Sequence, residues 1–132
     1  MKVIYNIILP FRGYTAMTVW PWIFVRKWRR ITTALMTHEN IHGEQQKEML
    51  VVGCVLAAVL LTAGCGWWSL IPLGLFFEWY VVEYLIRLLL TLSHRKAYRG
   101  VSFEKEAYEN QCDIAYLYSR KRFAWLKYVF TK

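Results

Sequence analysis

His38, Glu39 and His42 stand in the run HENIH, an instance of H-E-x-x-H, and two of the chain's three histidines fall in it. On a helix, positions i and i+4 lie on one face, so both imidazoles can reach one metal ion while the carboxylate at i+1 sits beside it, over a bound water. That set is half of a zinc-hydrolase site, with Zn2+ as cofactor, His38 and His42 as ligands and Glu39 as general base. The motif follows a helix start at Thr32 or Thr33 and lies in a segment without proline, so the helix it needs is available.

That helix runs straight into lipid-like sequence. From Met49 to Phe77 there is no Asp, Glu, Lys, Arg or His, and the apolar character resumes past Glu78 through Trp79 to Leu92. With 57% hydrophobic and 17% aromatic residues, the chain is too apolar for an average soluble domain of its size. Gly64, Cys65, Gly66, Pro72 and Gly74 interrupt the run where a turn would lie, and Trp67 and Trp68 suit an interface. The expected fold is therefore mainly α: a membrane-associated helical hairpin over about 49–91, with helices near 49–63 and 70–91. The first of these is short, and either starts its membrane path near Lys47 or dips without crossing. Glu78, Glu83 and Arg87 make the second less lipid-like, and a soluble helical domain with an unusually apolar core is the alternative. Glu83 and Arg87, at i and i+4, can neutralise each other as a structural pair.

The formal charge of +8 is uneven. Arg26, Lys27, Arg29 and Arg30 precede the motif; His94, Arg95, Lys96, Arg99, Arg120, Lys121, Arg122 and Lys127 follow the second apolar segment, and the turn between carries none. The positive-inside rule then puts both termini and the active site on the cytoplasmic side of an inner or plasma membrane, with anionic headgroups drawn to the basic flanks. No nucleic-acid fold signature accompanies this charge, so no nucleic-acid partner is expected.

Residues Val3 to Ile8 read as a short strand or an interfacial segment, stopped by Pro10 and Gly13. Tyr14 to Val25 reads as a second strand bent at Trp20-Pro21, which would give a short N-terminal β-hairpin, or as an aromatic belt on headgroups. As a strand beside the motif helix it could offer an edge to an extended peptide. Met1 to Pro10 lacks the features of a cleavable signal peptide, so the mature chain is expected to start at Met1. Cys54, Cys65 and Cys112 have no ligand spacing and are expected to be reduced fillers. Ser93 to Gly100 reads as a basic connector, Phe103 to about Tyr118 as a helix capped by Ser102, and Arg120 to Tyr128 as a short amphipathic helix. There is no linker or repeat, so residues 1–132 form one domain.

A catalytic zinc needs a third protein ligand and one open position. Glu104, Glu106, Glu109 and Asp113 cluster near the carboxyl end. HENIH followed by SFEKEAY at 102–108 resembles the gluzincin group of zinc metallopeptidases, in which a downstream helix carries a glutamate ligand within E-x-x-A-D, E-x-x-S-D or E-x-E-A-N. The resemblance implies Glu104 as third ligand and a small Ala107 that lets the two helices approach. It departs at Tyr108, where the group has Asp or Asn to orient a ligand histidine; Tyr108 would act instead as a phenol donor. Glu109, Cys112 and Asp113 read as E-x-x-C-D, a rival register with Glu109 as ligand.

The resemblance implies peptide-bond hydrolysis at or near the bilayer, on a peptide or membrane-protein substrate, with Glu39 taking the proton of the attacking water and passing it to the leaving amine. Tyr108 and His94, with Tyr98 and Arg99, are the candidate oxyanion donors or supports of the ligands. Two rivals stand beside this. Glu39 and His42 also spell E-x-x-H, half of a di-iron motif whose second copy is missing. A non-catalytic membrane protein with a structural or partner-binding metal site is the other, and it has no use for Glu39.

Overall fold

The computed structural model describes residues 1–10 and 13–131. Three short strands come first: β1 (Lys2–Asn6), β2 (Ala16–Val19) and β3 (Trp22–Arg26), in the order β1-β3-β2. β2 and β3 run antiparallel with Thr18 opposite Ile23, whereas β1 lies parallel to β3 with Val3 opposite Ile23. The N-terminal hairpin thus exists between β2 and β3. The stretch from Tyr14 to Val25, read as one strand bent at the proline, is two strands that reverse at Trp20-Pro21, and β1 reaches the sheet by a crossover. Alternation decides the inner face: Ala16, Ile23 and Val25 are buried together, with Val3, Ile31, Leu35 and Met36 packed on them.

Helix α1 (Thr33–Thr62) is a single rod of 30 residues, about 45 Å long. Thr32 caps it, its hydroxyl oxygen accepting the Leu35 N–H at 3.1 Å. The rod has two unlike halves. Thr37, His38, Glu39, His42, Gln45 and Gln46 are buried in the first; in the second Val51, Val55, Leu56, Val59 and Leu61 are exposed and only Met49, Gly53 and Ala57 are buried. The chain turns through Gly64 and Gly66, both at positive φ, where L side chains are strained. It then returns along α1 as a 3-10 segment (Gly66–Gly74) rather than an α-helix. Pro72 lies inside that segment, and its carbonyl oxygen sits where a Cβ on Gly53 would be.

Helix α2 (Leu75–Thr91) therefore starts five residues later than expected. Its polar and apolar faces are inverted: Tyr80, Glu83, Tyr84 and Arg87 turn inward, while Phe77, Val81, Val82, Leu85, Ile86, Leu89 and Leu90 face out. Glu83 pairs with Arg87 at 2.8 Å and accepts from the backbone N–H (2.9 Å) and hydroxyl (2.6 Å) of Ser102. Arg87 donates to the carbonyl of Val129 at 3.0 Å, so one ion pair ties α2 to two distant segments. Two membrane helices were expected, but among the described residues α1 alone is long and apolar enough to cross a membrane. The 3-10 return takes up residues that would have extended α2, and α2 keeps 17 with charges among them.

The remainder is α3 (His94–Gly100), α4 (Ser102–Asn110), α5 (Tyr116–Ser119) and α6 (Leu126–Val129). The basic connector is thus a helix. Ser102 is not a cap but the first residue of α4, its hydroxyl given to Glu83. The helix expected to reach Tyr118 stops at Asn110, whose amide donates to the Glu106 carbonyl at 2.7 Å while Asp113 accepts from the Ala115 N–H. The amphipathic helix expected over Arg120 to Tyr128 is confined to α6, because Arg120 turns inward. Met49, Phe76, Val101, Phe103 and Trp125 form the core between α1, α2 and the C-terminal helices, with Phe76 stacked on Phe103 at 4.5 Å.

Any side chain at Gly53 must displace the returning segment. Gly53→Val is expected to lower the unfolding free energy by about 1–3 kcal/mol, read from denaturant titration.

Candidate metal centre

Helical spacing puts His38 and His42 on the buried face of α1, with their Nε2 atoms 3.1 Å apart. The first turn of α4 brings Glu104 to both: its carboxylate oxygens lie 3.4 Å from His38 Nε2 and 3.5 Å from His42 Nε2. Ligands at 2.0–2.1 Å from a tetrahedral ion are about 3.3–3.4 Å from one another, so these separations are close to the edges of such a tetrahedron. All three residues are buried. His38 Nδ1 and Glu104 Oε2 make no hydrogen bond, although Oε2 lies within ion-pair distance of His38. A buried carboxylate oxygen without a donor is costly unless a charge compensates it. The donor set and its orphaned atoms fit a metal ion, and the group could hold one. Burial pushes the Glu104 carboxyl up, but the neighbouring His42 and His38 outweigh it and hold the group well below the usual carboxylate range, so it is ionised.

Close approach of α4 is what makes this possible. Ala107 and Phe103 are fully buried against α1, and Gln45 donates to the Phe103 carbonyl at 3.1 Å. Tyr80 donates its hydroxyl to Glu104 Oε1 at 3.0 Å, fixing the carboxylate from the α2 side. Glu39 is buried beside the triad but outside it, and its Oε2 accepts from the Thr18 hydroxyl at 2.7 Å. Next to them is a cavity of about 230 Å3, lined by Tyr14, Met17, Phe76, Phe77, Tyr80 and Tyr98 as well as by Glu39 and the triad. Edge strand β2 runs along it, held by Gln46, which donates to the Thr18 carbonyl and accepts from the Trp20 N–H, both at 2.8 Å.

The structure brings His38, His42 and Glu104 together, and Glu39 with them. It leaves Glu109 exposed, so that register reaches no histidine. Tyr108 does not line the cavity. Its ring packs edge-on against His38 at 4.8 Å with the Arg99 guanidinium 5.0 Å from its centre, which makes it a wall for the imidazole and not a donor to the cavity. His94 is exposed and bonded to the Tyr84 hydroxyl at 2.7 Å, also off the cavity. Of the oxyanion candidates only Tyr98 lines it; burial and Glu104 push its phenol up, so it keeps its proton. Thr18 and Tyr80 were not foreseen. Tyr80, at i−3 from Glu83 on the inward face of α2, was the one with a signal in the helical period.

Compared with known protein families, curated proteins and solved structures, the chain matches none.

Thr18→Val removes the donor to Glu39 while keeping the shape of the side chain. It is expected to cost about 1–3 kcal/mol in denaturant unfolding, because the Glu39 carboxyl stays buried without it.

Proposed function

We propose that this chain is a membrane-embedded zinc-dependent peptidase of the gluzincin kind, hydrolysing peptide bonds of a peptide or membrane-protein substrate at the bilayer surface. The observation that carries the reading is the meeting of H-E-x-x-H with Glu104, distant in sequence and within 3.5 Å in space. Two imidazoles and one carboxylate leave a fourth position open, which suits catalytic Zn2+ more than a closed structural site. When bound, the ion supplies Lewis acidity toward water and the scissile carbonyl. Glu39 takes the proton from the attacking water and returns it to the leaving amine. Thr18 keeps the Glu39 carboxyl turned toward the cavity, and Tyr98 is the phenol available to the developing oxyanion. An extended substrate adding to the edge of β2 would lie across the cavity.

The membrane part of the reading rests on the inverted surface. Glu83 and Arg87 of α2 point inward and its aliphatic side chains outward, continuous in chemistry with the exposed second half of α1 and with Trp67 and Trp68, 87% and 74% exposed. Residues Met49–Thr62 of α1 extend about 21 Å and the 3-10 return about 18 Å, less than the roughly 30 Å of a hydrocarbon core. The hairpin enters the bilayer of an inner or plasma membrane from the cytoplasmic side and turns back within it. The basic flanks keep the metal centre on that side.

Purified in detergent, the wild type is expected to hold about one zinc per chain, and His38→Ala or Glu104→Ala to lose it. Glu39→Gln is expected to keep zinc but let a membrane-protein substrate accumulate in cells, read by quantitative proteomics. A zinc-free wild type, or hydrolysis that survives Glu39→Gln, sinks the peptidase. In flotation with liposomes the chain is expected to rise with lipid and its tryptophans to be quenched by brominated acyl chains; recovery in the aqueous fraction removes the membrane part.

A further inference from the structure

Behind the triad runs a second buried polar chain that peptide chemistry does not use. His42 Nδ1 lies 2.8 Å from Gln45 Oε1. The Gln45 amide nitrogen has two hydrogens and gives them to two acceptors, the Phe103 carbonyl at 3.1 Å and Glu106 Oε2 at 2.9 Å. Neither of those partners can donate, the one being a carbonyl and the other a carboxylate held by Arg120 Nε at 2.6 Å and by the Tyr116 hydroxyl at 2.9 Å. The amide is therefore not free to flip, and its oxygen faces His42 by chemistry, not by choice of assignment. An oxygen that only accepts requires a proton on Nδ1 of His42, so in the neutral imidazole that would bind a metal the lone pair is on Nε2, on the side of Glu104 and His38.

We propose that Gln45, oriented by Glu106, is the positioning residue that fixes the His42 tautomer and so presents Nε2 to the metal. This rests on the metal-site reading above. Gln45 and Glu106 are both fully buried, and Arg120, shared between Glu106 and Glu48 of α1, neutralises the carboxylate that anchors the chain. The amide interposes one neutral group between that charge and the imidazole. His38 has no counterpart, since its Nδ1 makes no hydrogen bond and its ring packs edge-on against Tyr108, so the two histidines are held unequally. Outer partners of ligating histidines are commonly worth 10–100-fold in metal affinity.

The test is zinc affinity by chelator competition for the whole chain in detergent, with imidazole 15N spectra of the zinc-loaded protein. Gln45→Leu is expected to weaken zinc about 10–100-fold and to lose the protected Nδ1–H signal of His42. The exchange Gln45→Glu with Glu106→Gln restores an acceptor at 45 and a donor at 106, and is expected to bind within about threefold of wild type with that signal present. A folded Gln45→Leu whose affinity falls less than about tenfold overturns the proposal. If Gln45→Leu does not fold, the exchange variant decides, and a loss beyond about tenfold there overturns it. Wild type that takes up no zinc defeats the metal site itself, whereas wild type that binds beside an indifferent Gln45→Leu defeats only the role of Gln45.

Discussion

The seam between the middle of α1 and the first turn of α4 is the constraint on which the rest of this molecule depends. Across it Glu104 meets two imidazoles, Gln45 meets a backbone carbonyl and Glu106, and Ala107 permits the approach. Move α4 outward by the width of one methyl group and the carboxylate no longer reaches both rings. The chain invests accordingly: Glu83 binds the first N–H of α4, Arg120 clamps its underside to Glu48, and Phe103 anchors it in the aromatic core. Such a buried polar network stabilises little by itself but leaves few alternative arrangements.

The same economy explains the surface. Polar side chains that elsewhere would face water are used to hold the seam, and aliphatic ones are left outside on α2 and on the far half of α1. In water that arrangement exposes a broad apolar area, whereas in hydrocarbon it is the ordinary one.

Much of this was legible in the residues themselves. HENIH fixes a helical face, Thr32 its start, and the acidic cluster of 102–113 offers few third ligands. The Glu83–Arg87 pair follows from spacing alone. What the sequence does not carry is which partner each side chain prefers once the chain is folded. Ser102 looks like a cap, yet the Glu83 carboxylate binds it more strongly than a neutral helix end would. Tyr108 occupies a position that holds Asp or Asn in the resembling group, and an aromatic ring can only wall the imidazole there. The 3-10 return was hidden because Gly, Pro and aliphatic residues in that run are compatible with either helix, and the Gly53–Pro72 approach that selects it is tertiary. The pairing of β1 was hidden for the same reason, since hydrophobic alternation says that a strand exists but not which neighbour it takes.

One hydrogen-bonded ladder joins His38 and His42 to the greasy end of α1 without a hinge, for neither proline nor a break lies between Thr33 and Thr62. The imidazoles and the tip near Gly64 are thus points on one lever, while Glu104 sits on another helix, α4. Whatever tilts the far end of that lever must either carry α4 along with it or pull the two imidazoles away from Glu104.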